Sequence, residues 1–368
     1  MRETDAVREA RREMEVCNAC RYCEGFCAVF PAMELRREFS AGDLSYLANL
    51  CHNCRGCYYA CQYAPPHEWG INVPRSLALV RAQSYEEYAW PAPLARAFHR
   101  NGTLVALLTA AALTLVLILT IGLNREMALY ASRDMQPESF YQVIPLWVMQ
   151  VVASATFVFS LLALGMGAAR FWRDAGGGRA GTMPALGRAL WDVLSLRNLG
   201  GGGHGCNDTS ERFSMTRRRL HHAMFYGFLL CFAATCVGFI FHAVLGWPAP
   251  YPFVSAPVLL GTVGGVALMA GTGGLLAMKL ADDPVPQARS LLGADAALLL
   301  LLFLAAGTGL AVLGLRATAG MGIALAVHLG FILALFVLLP YSKMVHGVYR
   351  TAALLRAAAE ARDAPDAG

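Results

Sequence analysis

Charge is scarce in this chain. Only 15% of its 368 residues are Asp, Glu, Lys or Arg, against roughly a quarter in a soluble domain. Hydrophobic residues make up 57%, and the mean hydropathy is +0.46. That excludes an ordinary soluble enzyme and points to a membrane protein with a modest polar part. The first residues, "MRETDAVREARREMEVCNAC", have no apolar core and so do not read as a secretory signal. There is no basic stripe with interleaved aromatics, which excludes nucleic acid as a partner. No G-x-G-x-x-G follows a strand, so no dinucleotide or flavin site is expected in this chain. The glycine run "GGGGHGCND" at 200–208 lacks the Lys-Ser/Thr of a phosphate loop. It reads as a flexible turn with His204 and Cys206 as bystanders. The apolar runs carry no midplane charge or break of the kind a transporter needs.

What is present falls into distinct blocks. A polar, cysteine-rich head occupies residues 1–75, and a connector at the membrane surface follows at 76–102. Six apolar runs lie near 103–123, 145–169, 222–245, 255–280, 296–315 and 321–340, within a membrane bundle ending at 345. Each suffices for a bilayer core of about 30 Å, which needs roughly 20 helical residues. A frayed cytoplasmic tail is expected at 346–368. Tyr85, Tyr88 and Trp90 in the connector suit either an interfacial belt or packing onto the head.

Orientation follows from the loops. Arg125 and Arg133 follow the first run. Arg170, Arg173, Arg179, Arg188, Arg197, Arg212, Arg217, Arg218 and Arg219 follow the second. The loop after the third has none, the fourth holds Lys279 and Arg289, and the fifth Arg316. Lys343, Arg350, Arg356 and Arg362 lie in the tail. The excess in the even-numbered loops and the tail places both termini, and the head, on the cytoplasmic side of an inner membrane.

Eight of the eleven cysteines lie between residues 17 and 61. In a reducing compartment such clusters bind metal rather than form disulfides. Cys17, Cys20, Cys23 and Cys27 spell C-x2-C-x2-C-x3-C, and Cys51, Cys54, Cys57 and Cys61 repeat it. Three thiolates at this interval wrap one face of an iron–sulfur cubane, and the fourth crosses to a second cluster. Zinc takes paired knuckles with four ligands per ion, which fits less well. Two [4Fe–4S] clusters are expected, one on Cys17, Cys20, Cys23 and Cys61, the other on Cys51, Cys54, Cys57 and Cys27. The intervening "AVFPAMELRREFSAGDLSYLANL" shows no strand alternation. It reads as a helix after Pro31, a break at Gly42 and a second helix into Cys51, which makes the head an α-helical ferredoxin domain. His52 and His67 are bystanders.

Titratable rings on oily helices are costly and usually functional. The stretch "HLGFILALFVLLPYSKMVH" carries His328 and His346, 18 residues apart, on one face if the helix is continuous. The third run has His221 and His222 at one end and His242 at the other. Opposite chain directions give two levels about 27 to 31 Å apart, each with a histidine from both helices. Two imidazoles can ligate one haem, so one or two haems b are expected. Helical phase favours His221 over His222 as the same-face partner of His242, and Pro340 could shift the phase of His346. The sequence locates no quinone site: His99, Arg100, Tyr341 and Lys343 lie near the cytoplasmic surface and could line one, but each reads more simply as an interfacial anchor.

The last stretch is similar to the final helix of the nitrate reductase γ-subunit cytochromes b, which share H…P-[FY]-S-[KR]-…-V-H. More of the chain resembles the tricarballylate-utilisation protein B family, also called citrate-utilisation protein B. The resemblance is carried by "MEVCNACRYCEGFCAVFPAMELRR", "LCHNCRGCYYACQYAPPHEWGINVP", "HHAMFYGFLLCFAAT" and "PYPFVSAPVLLGTVGG". It implies an all-α membrane protein with two [4Fe–4S] clusters in an α-helical ferredoxin head and b-type haem in a six-helix cytochrome b-like bundle. It also implies reoxidation of an FAD-dependent dehydrogenase, which converts tricarballylate to cis-aconitate, with electrons passing to the quinone pool. Two readings compete with it: the same relay serving another flavoprotein, of cobalamin-ring synthesis or heterodisulfide-reductase type, and a membrane redox sensor.

Overall fold

The structure is a computed structural model that describes residues 1–130, 138–177 and 183–363, with the side chains at 100, 123–128, 362 and 363 excepted. Arg100, Arg125, Arg133, Arg179 and Arg362 thus lie outside the described side chains. Among the described residues the fold is all helix, apart from one antiparallel bridge between Cys206 and Ser214.

The head is built from α1 (Asp5–Cys20), α2 (Val29–Glu34), α3 (Ala41–Leu50), α4 (Gly56–Tyr59) and α5 (Val73–Tyr88). Thr4 caps α1, and Ser40 with Asp43 forms a capping box on α3. The break between α2 and α3 therefore falls just before Ser40, not at the expected Gly42. Gly42 sits in the first turn of α3, where a Cβ would collide with the Asp174 carbonyl oxygen. The boundary expected at residue 75 falls inside α5. Leu77, Val80, Tyr85 and Tyr88 are buried in the head core, so the connector tyrosines pack onto the head rather than into an interfacial belt. Only Trp90 keeps an exposed flank, at 37%.

A short α6 (Ala92–Arg100) leads into α7 (Gly102–Tyr130), followed by α8 (Leu146–Asp174), α9 (Met183–Leu194), α10 (Thr216–Ala243), α11 (Ala256–Ala281), α12 (Leu292–Leu315), α13 (Met321–Leu338) and α14 (Val345–Asp363). Six segments are long and apolar enough to cross a bilayer: 102–122, 146–174, 216–243, 256–281, 289–315 and 321–338. α10 and α11 form a tight antiparallel pair because glycines let their backbones meet. A Cβ on Gly227 or Gly264 would come within 2.6 and 2.8 Å of backbone nitrogen on the facing helix, and one on Gly271 would collide with the Met224 nitrogen. α12 joins α11 to α13 and α7, and α8 packs on α13. α10 thus stands across a cleft from α13, bridged by Phe157 of α8, whose ring meets Phe232 of α10 at 5.9 Å and Phe336 of α13 at 5.6 Å.

Two expectations fail here. The helix from His328 does not run on to His346. Pro340 lacks the N–H that would continue it, and the chain turns at 339–344, with the Ser342 N–H on the Leu338 carbonyl at 2.8 Å, before α14 begins. Nor does the tail fray as far as Asp363, the last of its described residues. Val345, Tyr349 and Ala353 recur at four-residue intervals, are buried, and seat α14 against α3, α8 and α9.

Candidate redox centre

None of the eight head cysteines is paired in a disulfide; Cys51 is buried, Cys20 exposed and the other six half-buried. Their neighbours sort them into two sets. Cys17 feels the charges of Cys61, Cys23 and Cys20, whereas Cys27 feels Cys54 and Cys51. Each fourth cysteine therefore lies with the other run. Cys17, Cys20, Cys23, Cys57 and Cys61 also line one cavity of about 210 Å³. Among the described residues no three His, Cys, Asp or Glu side chains converge closely enough to hold a single metal ion. The cysteines surround a volume rather than a point, which suits a cluster better than zinc.

Burial raises the thiols of Cys17 and Cys27 well above the ordinary range, and Cys23 is pushed up to about 12 by burial and by Cys61 and Cys20. Thiolates in such a place need a cationic partner. Backbone N–H groups are already aimed at the sulfurs: Val29 and Phe30 at Cys27, Gly56 at Cys54, Tyr63 and Ala64 at Cys61. Such donors tune a cluster's potential.

The second cysteine run sits directly on the membrane bundle. Arg217, in the first turn of α10, donates to the carbonyls of Asn53 at 2.7 Å and His52 at 3.2 Å. Arg350 on α14 donates to Cys51 at 2.9 Å and Asn49 at 3.2 Å. One helical turn from each arginine stands a histidine: His221 after Arg217, His346 before Arg350. Their rings face each other, centres 6.2 Å apart and 32° between planes. Two facing imidazoles at this separation are the residues that would hold a metal-centred cofactor between the two helices. The His346 Nδ1 meets the Lys343 carbonyl, which only accepts, so Nδ1 carries the proton and Nε2 presents its lone pair.

His222 points elsewhere. Its Nε2 bonds the Ser195 carbonyl at 3.2 Å, and its ring stacks on Tyr226. The outer level is different again. His242 lies in the last turn of α10 against Tyr141, whose hydroxyl is 3.4 Å from Nδ1. His328 lies seven residues inside α13, about 10 Å deeper. The Thr308 hydroxyl meets its Nδ1 at 3.2 Å, and the ring lies over Gly309, in an apolar cavity of about 450 Å³ that His242 does not line. The structure brings His221 and His346 together; it does not bring His242 to His328.

Several residues around the centre were invisible in the sequence. The segment at 200–208 is not a bystander turn. Its Asn207 N–H donates to the Cys54 carbonyl at 2.9 Å, Cys206 is fully buried, and the Asp208 carbonyl accepts from Arg55. Gly202, at φ +77°, comes so close to Phe26 that a Cβ would sit 2.9 Å from its carbonyl oxygen. The quinone candidates separate as well. Tyr341 is buried and donates to the Trp90 carbonyl at 3.1 Å, away from His99 and Lys343.

Fold and site together define a class: an all-helical multi-pass membrane protein whose head carries an iron–sulfur cysteine framework and an electron-transfer role. Residues 10–87 match the Citrate utilization protein B Fer4-like domain, and residues 96–368 match Citrate utilization protein B. The chain is 45% identical over 367 residues to Citrate utilization protein B of Escherichia coli, covering 99% of this chain and 95% of that relative. It belongs to the citrate utilization protein B family. No solved structure matches it.

Proposed function

We propose that this chain is the electron-transfer subunit that reoxidises a separate FAD-dependent dehydrogenase, of the tricarballylate-oxidising type, and delivers the electrons to the quinone pool of an inner membrane. The head faces the cytoplasm and holds two [4Fe–4S] clusters, on Cys17, Cys20, Cys23 and Cys61 and on Cys51, Cys54, Cys57 and Cys27. His221 and His346 hold one b-type haem. Bound there, these groups supply one-electron chemistry that no amino-acid side chain on these helices offers. The protein's work is positional. Arg217 and Arg350 fix the loop of the second cysteine run over the two imidazoles. Six basic side chains against three carboxylates line the cavity around the rings, and that positive excess suits the carboxylates of a haem.

The observation that carries this reading is the double clamp, Arg217 to Asn53 and His52, Arg350 to Cys51 and Asn49, each one turn from a facing histidine. Its test is a reduced-minus-oxidised optical spectrum of purified protein with iron and haem quantitation. The expected result is about eight cluster irons per chain with low-spin b-type bands. Colourless, iron-free protein overturns it. Oxidation of reduced dehydrogenase by the protein checks the partner; a redox sensor would show no turnover.

A further inference from the structure

α9 carries an apolar face that no described residue covers. Met183, Leu186, Leu190, Trp191 and Leu194 are all exposed, Met183 at 79% and Trp191 at 67%. At about 100° per residue they share one arc of roughly 140°. Ala185, Ala189 and Val193 form a second arc, turned toward α14 and the head core. Arg188 and Asp192 form the third, on the far side from the exposed apolar arc, and line a cavity of about 690 Å³ shared with the loop at Cys27. A water-exposed connecting helix has no use for five large apolar side chains on one open face.

The C-terminus of α9 fixes its depth. Arg218, His222 and Tyr226, spaced one turn apart on one stripe of α10, all donate to it: Arg218 to the Ser195 carbonyl at 2.9 Å, His222 to the same carbonyl at 3.2 Å and Tyr226 to the Leu194 carbonyl at 2.7 Å. Tyr226 lies within the third apolar span, about 10 Å along α10 from Arg219, the last arginine of its first turn. Arginines mark the headgroup layer, and tyrosine and tryptophan the boundary just below it. The exposed flanks of Tyr226 and Leu229 continue the apolar surface of α9 onto that of the spans. We infer that α9 is a surface-lying membrane helix, with its apolar face set into the headgroup–acyl boundary of the head-side phospholipid leaflet and its Arg188–Asp192 face turned to the head. Amphipathic helices bind at this depth, their apolar side chains about 5–10 Å into the boundary. The bilayer then holds α9, and α9 holds the first turns of α10, which carry His221.

Photocross-linking of the full chain in liposomes of phosphatidylethanolamine and phosphatidylglycerol tests this. p-Benzoylphenylalanine is placed singly at Met183, Leu190, Trp191 or Arg188, and adducts are read by mass spectrometry of the α9 peptide. The first three positions are expected to give phospholipid adducts in about tenfold excess over Arg188. Met183 and Trp191 are the most exposed side chains of the face, so replacement there removes no packed group, and a folding failure at Leu190 leaves the test intact. Absence of lipid adducts at Met183 and Trp191 overturns the inference, because the face then meets water. Adducts to a second copy of this chain make the face a dimer interface and overturn it equally. Lipid labelling at Arg188 as strong as at the other positions puts the whole helix inside the bilayer and overturns the surface position.

Discussion

The Lys343 carbonyl fixes the tautomer of His346 and leaves Nε2 with its lone pair, the form a ligand would need on the proposed reading. His221 faces His346, and His222, one residue on, is tied to Ser195. His221→Ala and His346→Ala are each expected to remove the b-type bands, whereas His222→Ala keeps them and lowers thermal stability by about 1 kcal/mol, one lost hydrogen bond. Optical spectra of the three variants check this; bands that survive in His346→Ala would sink the assignment. The sequence showed that histidines were present and which run they sat on. It favoured His221 from a phase relation to His242, and the structure favours the same residue for a different reason, its contact with His346. His328 and His242 read as a matched level only because residue counting sees depth along a continuous helix. Pro340 ends that helix early, and His242 lies in the final turn of α10 while His328 does not.

Among whole elements, legibility followed the source of burial. All six spans were visible, since a bilayer demands long apolar runs whatever packs beside them. α5 and α14 were misread as connector and tail because each is half polar, and only a partner shows which face it buries. The glycine run at 200–208 was misread for a related reason: its left-handed backbone serves contact with Phe26 and the second cysteine run, not mobility. The α10–α11 pair carries the sharpest consequence at this scale. Gly271 opposes the backbone nitrogen of Met224, one turn after His221. Gly271→Leu cannot be accommodated by a rotamer change, because the obstacle is backbone. Overpacking of this kind costs about 1–3 kcal/mol and must push α10 away from α11, carrying His221 with it. The expected result is at least a tenfold loss of bound haem in Gly271→Leu and a milder loss in Gly271→Ala, read from haem per protein after purification. Equal haem content in both would mean that the glycine contact does not position the histidine.

The whole molecule has one wired end and one bare end. Head, α14, the 200–208 segment and both lysines gather at the first: α14 reaches the head through Glu360, which takes Arg36 at 2.7 Å and Tyr46 at 2.9 Å. At the other end, the basic side chain among the described residues is Arg316, and it is folded inward. Its guanidinium lies 3.6 Å over the Phe253 ring and donates to the Tyr251 carbonyl at 2.9 Å. A buried cation contributes little to topology, whereas the arginines flanking α8 and α10 at the wired end are expected, by their excess of positive charge, to face the cytoplasm. Val254 is 83% exposed at the bare end, in the turn between the third and fourth spans. Val254→Cys should therefore react with an impermeant maleimide added to intact cells stripped of their outer envelope. Arg173→Cys, in the last turn of the second span at the wired end, should react only after lysis. The reverse pattern would put the clusters outside and remove the cytoplasmic flavoprotein as electron donor. On the proposed reading, a wired end facing in requires that electrons enter from the cytoplasmic side of the membrane.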